Sequence, residues 1–249
     1  MAPDDQEALS GGHIHQVVRV ADTVRRTPTP RSAYVHELLA LFEERGWPGA
    51  PRFLGVDEQR REILGFLPGR AALGPEERRA ARTDEGLAQL AVLVRDFHDL
   101  TAGSDLAGGH EVVCHNDLDP RNTIYATEGD TWRPLAFVDW DLAAPGRRIE
   151  DVAHVCWQYL ELGPGIEDTA DASRQMRLIC DAYGLARSGR ATLLDTVLAW
   201  QDRCHRGIDA AAERGDPAMV RLRALGVVEE VRAAQRWVAA HRCALAAQL

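Results

Sequence analysis

The hydrophobic pattern changes character after Leu67-Pro68-Gly69, from mainly strand-like to mainly helical, and this limits the fold to two parts of different kind. Before Leu67-Pro68-Gly69 the apolar residues come in short runs bounded by polar turns. Residues 13–27 read as a β-hairpin, with Gln16-Val17-Val18-Arg19-Val20 and Thr23-Val24-Arg25-Arg26 as its strands and Ala21-Asp22 as its turn. So short a pair needs further partners, and residues 52–56 and 61–66 read as two more strands. Between the pairs, Val35, Leu38, Leu39 and Phe42 repeat at helical spacing after Ser32, a capping residue type, and before Gly46. From Gly74 onward helical spacing dominates, as in the stripe Leu87, Leu90, Ala91, Val94 and Phe97. Short strands interrupt it at 111–114, 122–125 and 135–138, each beside a polar cluster. Residues 149–249 read as helices, broken near Gly163-Pro164-Gly165, Gly184 and Gly215-Asp216-Pro217, with 219–249 as one long amphipathic helix or a pair. The expectation is an α+β chain with a small β-rich lobe over residues 1–67 and a larger, mainly helical lobe over 68–249.

The polar clusters carry the chemistry. His115-Asn116-Asp117-Leu118-Asp119-Pro120-Arg121-Asn122 has the form H-x-D-x-x-x-x-N and lies between two of the short strands. That is the spacing of a kinase catalytic loop, which must set a carboxylate beside an attacking oxygen while an amide further on meets magnesium at the phosphates. Seventeen positions after Asn122, the apolar pair Phe137-Val138 ends in Asp139-Trp140-Asp141. A carboxylate at such a strand end can bridge magnesium to phosphate oxygens. Either segment alone is better read as a polar loop with capping residues. The two in this order, each beside a strand and behind a small β-rich lobe, point to a kinase.

The segments VVCHNDLDPRNTIY, AFVDWDLAAPG and RRIEDVAHV resemble the aminoglycoside phosphotransferase and choline kinase superfamily. The resemblance covers most of the chain, strongest over 111–155, fair over 23–69 and weakest beyond 165. It implies a bilobal protein-kinase-like fold with a nucleotide in the cleft. It also implies Asp117 as the catalytic base, His115 as the residue buttressing the loop, and Asn122 with Asp139 as Mg2+ ligands. Asp151 matches the acid that anchors the loop from a following helix; it reads equally as a carboxylate at a helix N-terminus. Asp119 and Asp141 either meet the substrate or support the ligands. Trp140, Trp157 and Tyr159 either stack on a ligand or fill a core.

The chain departs from that pattern where the phosphates should be held. The superfamily places a basic residue there, usually Lys, but this chain has no Lys, and Thr23-Val24-Arg25 stands in its position. Arg25 is the expected phosphate contact and Arg26 the second choice, since a guanidinium keeps the charge and adds a two-pronged donor. The partner Glu should fall near Val35, where Glu37 is the nearest acid. The loop covering the phosphates is reduced to Ser10-Gly11-Gly12-His13, in which Gly11 and Gly12 can bring backbone amides close. Leu64-Gly65-Phe66-Leu67 is expected to meet the adenine through backbone groups and an apolar wall.

A formal net charge of -9 argues against a nucleic-acid partner and suits a cationic small-molecule substrate. Glu161, Glu167, Asp168 and Asp171, with Asp119 and Asp141, are the candidate acids for binding its ammonium groups. The polar, acidic start and the lack of a long apolar run place the chain in the cytoplasm, with no membrane partner. Five scattered cysteines without CxxC spacing read as reduced thiols. The expected function is transfer of the γ-phosphoryl group of ATP or GTP, with Mg2+, to a hydroxyl of an aminoglycoside, amino-sugar or related small substrate. The alternative is a nucleotide-binding or self-immunity protein with the kinase fold and little transfer activity.

Overall fold

The structure, a computed structural model, describes the backbone of residues 6–8 and all of residues 17–249. The expected hairpin is present as β2 (Val18–Val20) and β3 (Thr23–Arg26), with β1 (Gln6–Ala8) added at the edge. After α1 (Ser32–Glu44) come β4 (Phe53–Val56) and β5 (Glu62–Gly65). The five strands form one antiparallel sheet in the order β1-β2-β3-β5-β4. In its register Arg26 stands opposite Glu62 and Arg25 opposite Ile63.

The remaining elements are α2 (Pro75–Ala81), α3 (Asp84–Thr101), β6 (Val112–Cys114), β7 (Thr123–Glu128), β8 (Thr131–Phe137) and β9 (Ala144–Gly146). They are followed by α4 (Arg148–Tyr159), α5 (Thr169–Tyr183), α6 (Arg187–Glu213), α7 (Pro217–Ala224), α8 (Val227–Ala240) and α9 (Arg242–Ala246). Two two-stranded ladders, β6 with β9 and β7 with β8, hold the polar clusters between them in sequence. The fold class is α+β and bilobal, protein-kinase-like, with a small β-rich N-lobe and a larger, mainly helical C-lobe.

The chain packs as two compact units. The first holds residues up to Ala81 together with Asp96–Gly146, and the second holds Arg82–Arg95 with Arg147–Leu249. The linker Leu67-Pro68-Gly69 falls inside the first unit, directly after β5. That unit is centred on Phe42, Trp47, Phe97, Phe137 and Trp140, whose ring centroids pair at 4.7 to 6.5 Å, mostly edge to face. Each fully buried ring stabilises the fold by about 1.5–3 kcal/mol. The cluster fixes Trp140, and therefore the turn that begins at Asp139.

Three local expectations give way. Ser32 is not the helix cap but the first helical residue; its hydroxyl accepts from the Thr29 amide, and Arg31 is the capping position. The segment 219–249 is neither one helix nor two, because Gly226 takes φ 84° and separates α7 from α8, and α9 follows. Strand β9 is unexpected from the sequence, since Pro145 lies inside it, at a two-stranded ladder where a lost donor is tolerated. All five cysteines are free thiols, as expected.

Gly69 takes φ 148°, and a Cβ there would lie 2.6 Å from both the Tyr125 carbonyl oxygen and Ile124 Cγ2. Backbone cannot yield as a flexible side chain can. Gly69→Ala is expected to cost about 2 kcal/mol or more in urea denaturation. A loss within 0.5 kcal/mol would show that the linker relaxes freely.

Candidate functional site

The first unit brings Asp117, Asn122, Asp139, Asp141 and Arg26 together. The loop from β6 to β7 turns at Asn116, which takes φ 65°, a conformation that Asn tolerates better than most residues. His115 is fully buried against Trp140, with ring centroids 4.4 Å apart. Its Nδ1 accepts from the Asp117 amide at 3.3 Å, which leaves Nε2–H to donate to the Val138 carbonyl at 3.1 Å. One imidazole thus ties the loop to the chain just before Asp139.

Asn122 closes the other end of the loop. Its Nδ2 donates to the Asp117 backbone oxygen at 2.9 Å and to Asp117 Oδ2 at 2.8 Å, leaving Oδ1 as the remaining strong acceptor of the amide. The Asp117 carboxyl is pushed up to about 7, first by burial and then by the negative charges of Asp139 and Asp119, with Arg121 and Asn122 opposing. A carboxyl titrating near neutrality can accept a proton from a substrate hydroxyl and pass it on.

Asp139 follows β8 in the left-handed region, φ 62° and ψ 59°, and its side chain is 49% exposed. A bent backbone here takes the carboxylate out of the strand alternation. Two oxygen donors, Asn122 Oδ1 and the Asp139 carboxylate, are of the hard type that Mg2+ selects, with an exposed side for water and phosphate. The charge balance agrees: the carboxylates of Asp117, Asp119, Asp139, Asp141 and Glu62 outnumber the guanidinium groups of Arg26 and Arg121.

The cation beside Asp139 and Asp141 is Arg26, the second choice from the sequence, and Arg25 lies elsewhere. Alternation along β3 sends successive side chains to opposite faces. Arg25 is thereby placed beside Asp57, at 3.8 Å, and on the Thr23 hydroxyl at 2.5 Å. Arg26 is buried; its Nε meets Glu62 Oε2 at 2.5 Å, its Nη2 meets Asp141 Oδ1 at 2.8 Å, and its Nη1 lies 3.9 Å from Asp139. Burial opposes its charge, but Asp141 and Glu62 more than compensate, so its pKa is raised. The expected acid, Glu37, is exposed on α1. The acid paired with Arg26 is Glu62 of β5, fully buried and held below the usual carboxylate range: burial works against its charge, and hydrogen bonds from Ser32, Arg26 and His36 with the Arg26 charge outweigh it.

Other candidates have structural duties. Asp119 caps the 3₁₀ turn Pro120–Asn122 by accepting from the Arg121 amide, and its two oxygens grip the Arg121 guanidinium at 2.8 and 3.0 Å, so it is not open to an ammonium group. Asp168 caps α5 through the Ala170 and Asp171 amides. Glu161 and Glu167 are exposed, and Asp171 pairs with Arg174. Trp140, Trp157 and Tyr159 are buried, with Trp157 edge-on to His154. Asp151 is fully buried in the first turn of α4, in the second unit. In the adenine segment, Leu64 is buried in the ladder, and the Gly65 and Phe66 amides already donate to the carbonyls of Arg52 and Asp22. Gly11 and Gly12 lie outside the described residues.

Residues 104–187 match the sequence model of the APH family, described as the phosphotransferase enzyme family. The fold is protein-kinase-like and related to that of the aminoglycoside phosphotransferase and choline kinase superfamily. In particular, the GDP complex of wild-type aminoglycoside 2'-phosphotransferase-IIIa superposes with a TM-score of 0.61 at 12% identity, over 94% of each chain. A choline/ethanolamine kinase family protein from Mesorhizobium loti gives 0.51 at 16%, over 93% of this chain and 92% of that one. By sequence, the chain is 28% identical over 241 residues to the trifolitoxin immunity protein of Rhizobium leguminosarum bv. trifolii, covering 87% of this chain and 86% of that one.

Proposed function

We propose that the chain is a small-molecule kinase that transfers the γ-phosphoryl group of ATP or GTP to a substrate hydroxyl. The observation that carries this reading is the Asp117 carboxyl, held by Asn122, pushed up to about 7 and set in one unit with Asp139 and Arg26. In the reaction the substrate oxygen forms a bond to the γ phosphorus as the bond to the β–γ bridging oxygen breaks. Asp117 takes the hydroxyl proton, and the nucleoside diphosphate leaves. Asn122 Oδ1 and Asp139 would hold magnesium, which supplies charge neutralisation at the phosphates. Arg26 offers a fixed guanidinium to the same oxygens, and Leu67, just past the engaged amides of Gly65 and Phe66, offers its backbone to the purine. The net charge of -9 and the superfamily resemblance favour an amine-bearing acceptor, an aminoglycoside or amino-sugar, met in the cytoplasm.

A thermal-shift titration with ATP, GTP and a non-hydrolysable analogue tests the reading. Nucleotide with magnesium is expected to raise the melting temperature by mass action, and Asp139→Ala to abolish the rise. Absence of any nucleotide shift in the wild type would sink the kinase reading. The likeness to an immunity protein over most of the chain favours a second reading, in which this fold binds nucleotide and protects its host from a toxin with little transfer. Magnesium-dependent binding without turnover on a panel of hydroxyl compounds would select it.

Among the described residues no helix is long and apolar enough to cross a membrane.

A further inference from the structure

We propose that His36 is a positioning residue for Arg26, acting through Glu62, and so sets how the guanidinium meets the nucleotide phosphates. This rests on the reading of the site as a nucleotide site. Glu62 holds three side chains: Oε2 receives Arg26 Nε at 2.5 Å, Oε1 meets His36 Nε2 at 2.7 Å, and the Ser32 hydroxyl also bonds the carboxylate. With one oxygen held from β3 and the other from α1, the carboxylate cannot turn about its terminal bond. The imidazole is itself fixed, stacked on Phe53 of β4 with ring centroids 3.6 Å apart and planes 15° from parallel.

A guanidinium is rigid and planar, so fixing its Nε edge fixes where both Nη groups point. Here they point at Asp141 and toward Asp139, the side on which phosphate oxygens would arrive. The arrangement also explains why α1 carries no inward acid. Glu62 and Asp141 already give Arg26 two carboxylates, and a third from the helix would face Glu62 with like charge. The helix instead supplies hydrogen-bonding side chains to Glu62, His36 together with Ser32.

Two substitutions in the full-length protein separate positioning from packing. His36→Gln can place its amide Nε2 near the lost imidazole nitrogen, whereas His36→Phe keeps a ring on Phe53 but no hydrogen bond. The dissociation constant of a non-hydrolysable ATP analogue with magnesium is measured by calorimetry, alongside each melting temperature. His36→Gln is expected to bind within about twofold of wild type, and His36→Phe about tenfold more weakly. Wild-type affinity in His36→Phe, with or without a fall in melting temperature, would reduce His36 to packing and overturn the proposal. Equal losses in both variants would overturn it too. No binding by the wild type would instead remove the nucleotide reading, a different and recognisable failure.

Discussion

Asp117→Asn is expected to slow phosphoryl transfer by orders of magnitude while raising the melting temperature of the metal-free protein, and to raise it more at pH 8 than at pH 5. Loss of the base alone removes about 10²–10⁴-fold in rate. The stability change follows from the same carboxyl. In the fold it titrates near 7, against an ordinary value of 3.8. Raised in the folded state, it favours folding fully below about 3.8, and that contribution is lost as pH rises through about 7. Above that range an ionised Asp117 costs up to about 4 kcal/mol relative to a neutral side chain of the same shape. Asn keeps an oxygen for the bond from Asn122 Nδ2 and carries no charge at any pH. Other titrating groups are common to both proteins and cancel in the difference. Comparing melting temperatures of the two at pH 5 and pH 8 in chelator checks this, and a difference independent of pH would show that Asp117 is not raised. Magnesium with nucleotide should shrink the gap, because a cation at Asn122 and Asp139 offsets one of the charges that raise the carboxyl.

The geometry of the loop from His115 to Asn122 was legible because its information is local. Asp117 and Asn122 are five residues apart in one loop, and the spacing alone places them on each other, as the 2.8 Å bond records. Asp139 could be read for a similar reason, since the apolar strand before it ends where the carboxylate begins. Arg26 could not be chosen over Arg25 by the same means. Both sit on one short strand, and which of two neighbours faces inward depends on a register that only the pairing partner fixes. That partner, Glu62, is thirty-six residues away, and no local pattern joins the two. A weak signal existed for His36: it flanks the apolar stripe of Val35, Leu38, Leu39 and Phe42, whereas Glu37 points further from it. In the segment 64–67, expected to meet the adenine, which amides are engaged depends on Asp22 and Arg52, again distant in sequence.

Arg26→Met is expected to be the most destabilising single change at the site, at about 3–5 kcal/mol in urea denaturation at pH 7. Removing the cation leaves Glu62, with no exposed surface, without its ion-pair partner and held only by Ser32 and His36. The reverse change, Glu62→Leu, should cost clearly less, because Arg26 keeps Asp141 at 2.8 Å and Asp139 at 3.9 Å. The double variant Arg26→Met, Glu62→Leu should recover most of the stability lost in Arg26→Met, since the fully buried Glu62 charge goes with its partner and only the partly exposed Asp141 loses Arg26. If the double variant were as unstable as Arg26→Met alone, the loss would lie in packing rather than in a stranded carboxylate. Stability and binding should part company here: the double variant is expected to fold well and still lose the magnesium-nucleotide shift. That outcome would mean that the buried Arg–Glu pair serves what its outer edge does rather than the fold. In this chain that edge is the pair of Nη groups turned to Asp139 and Asp141, where the phosphates would lie.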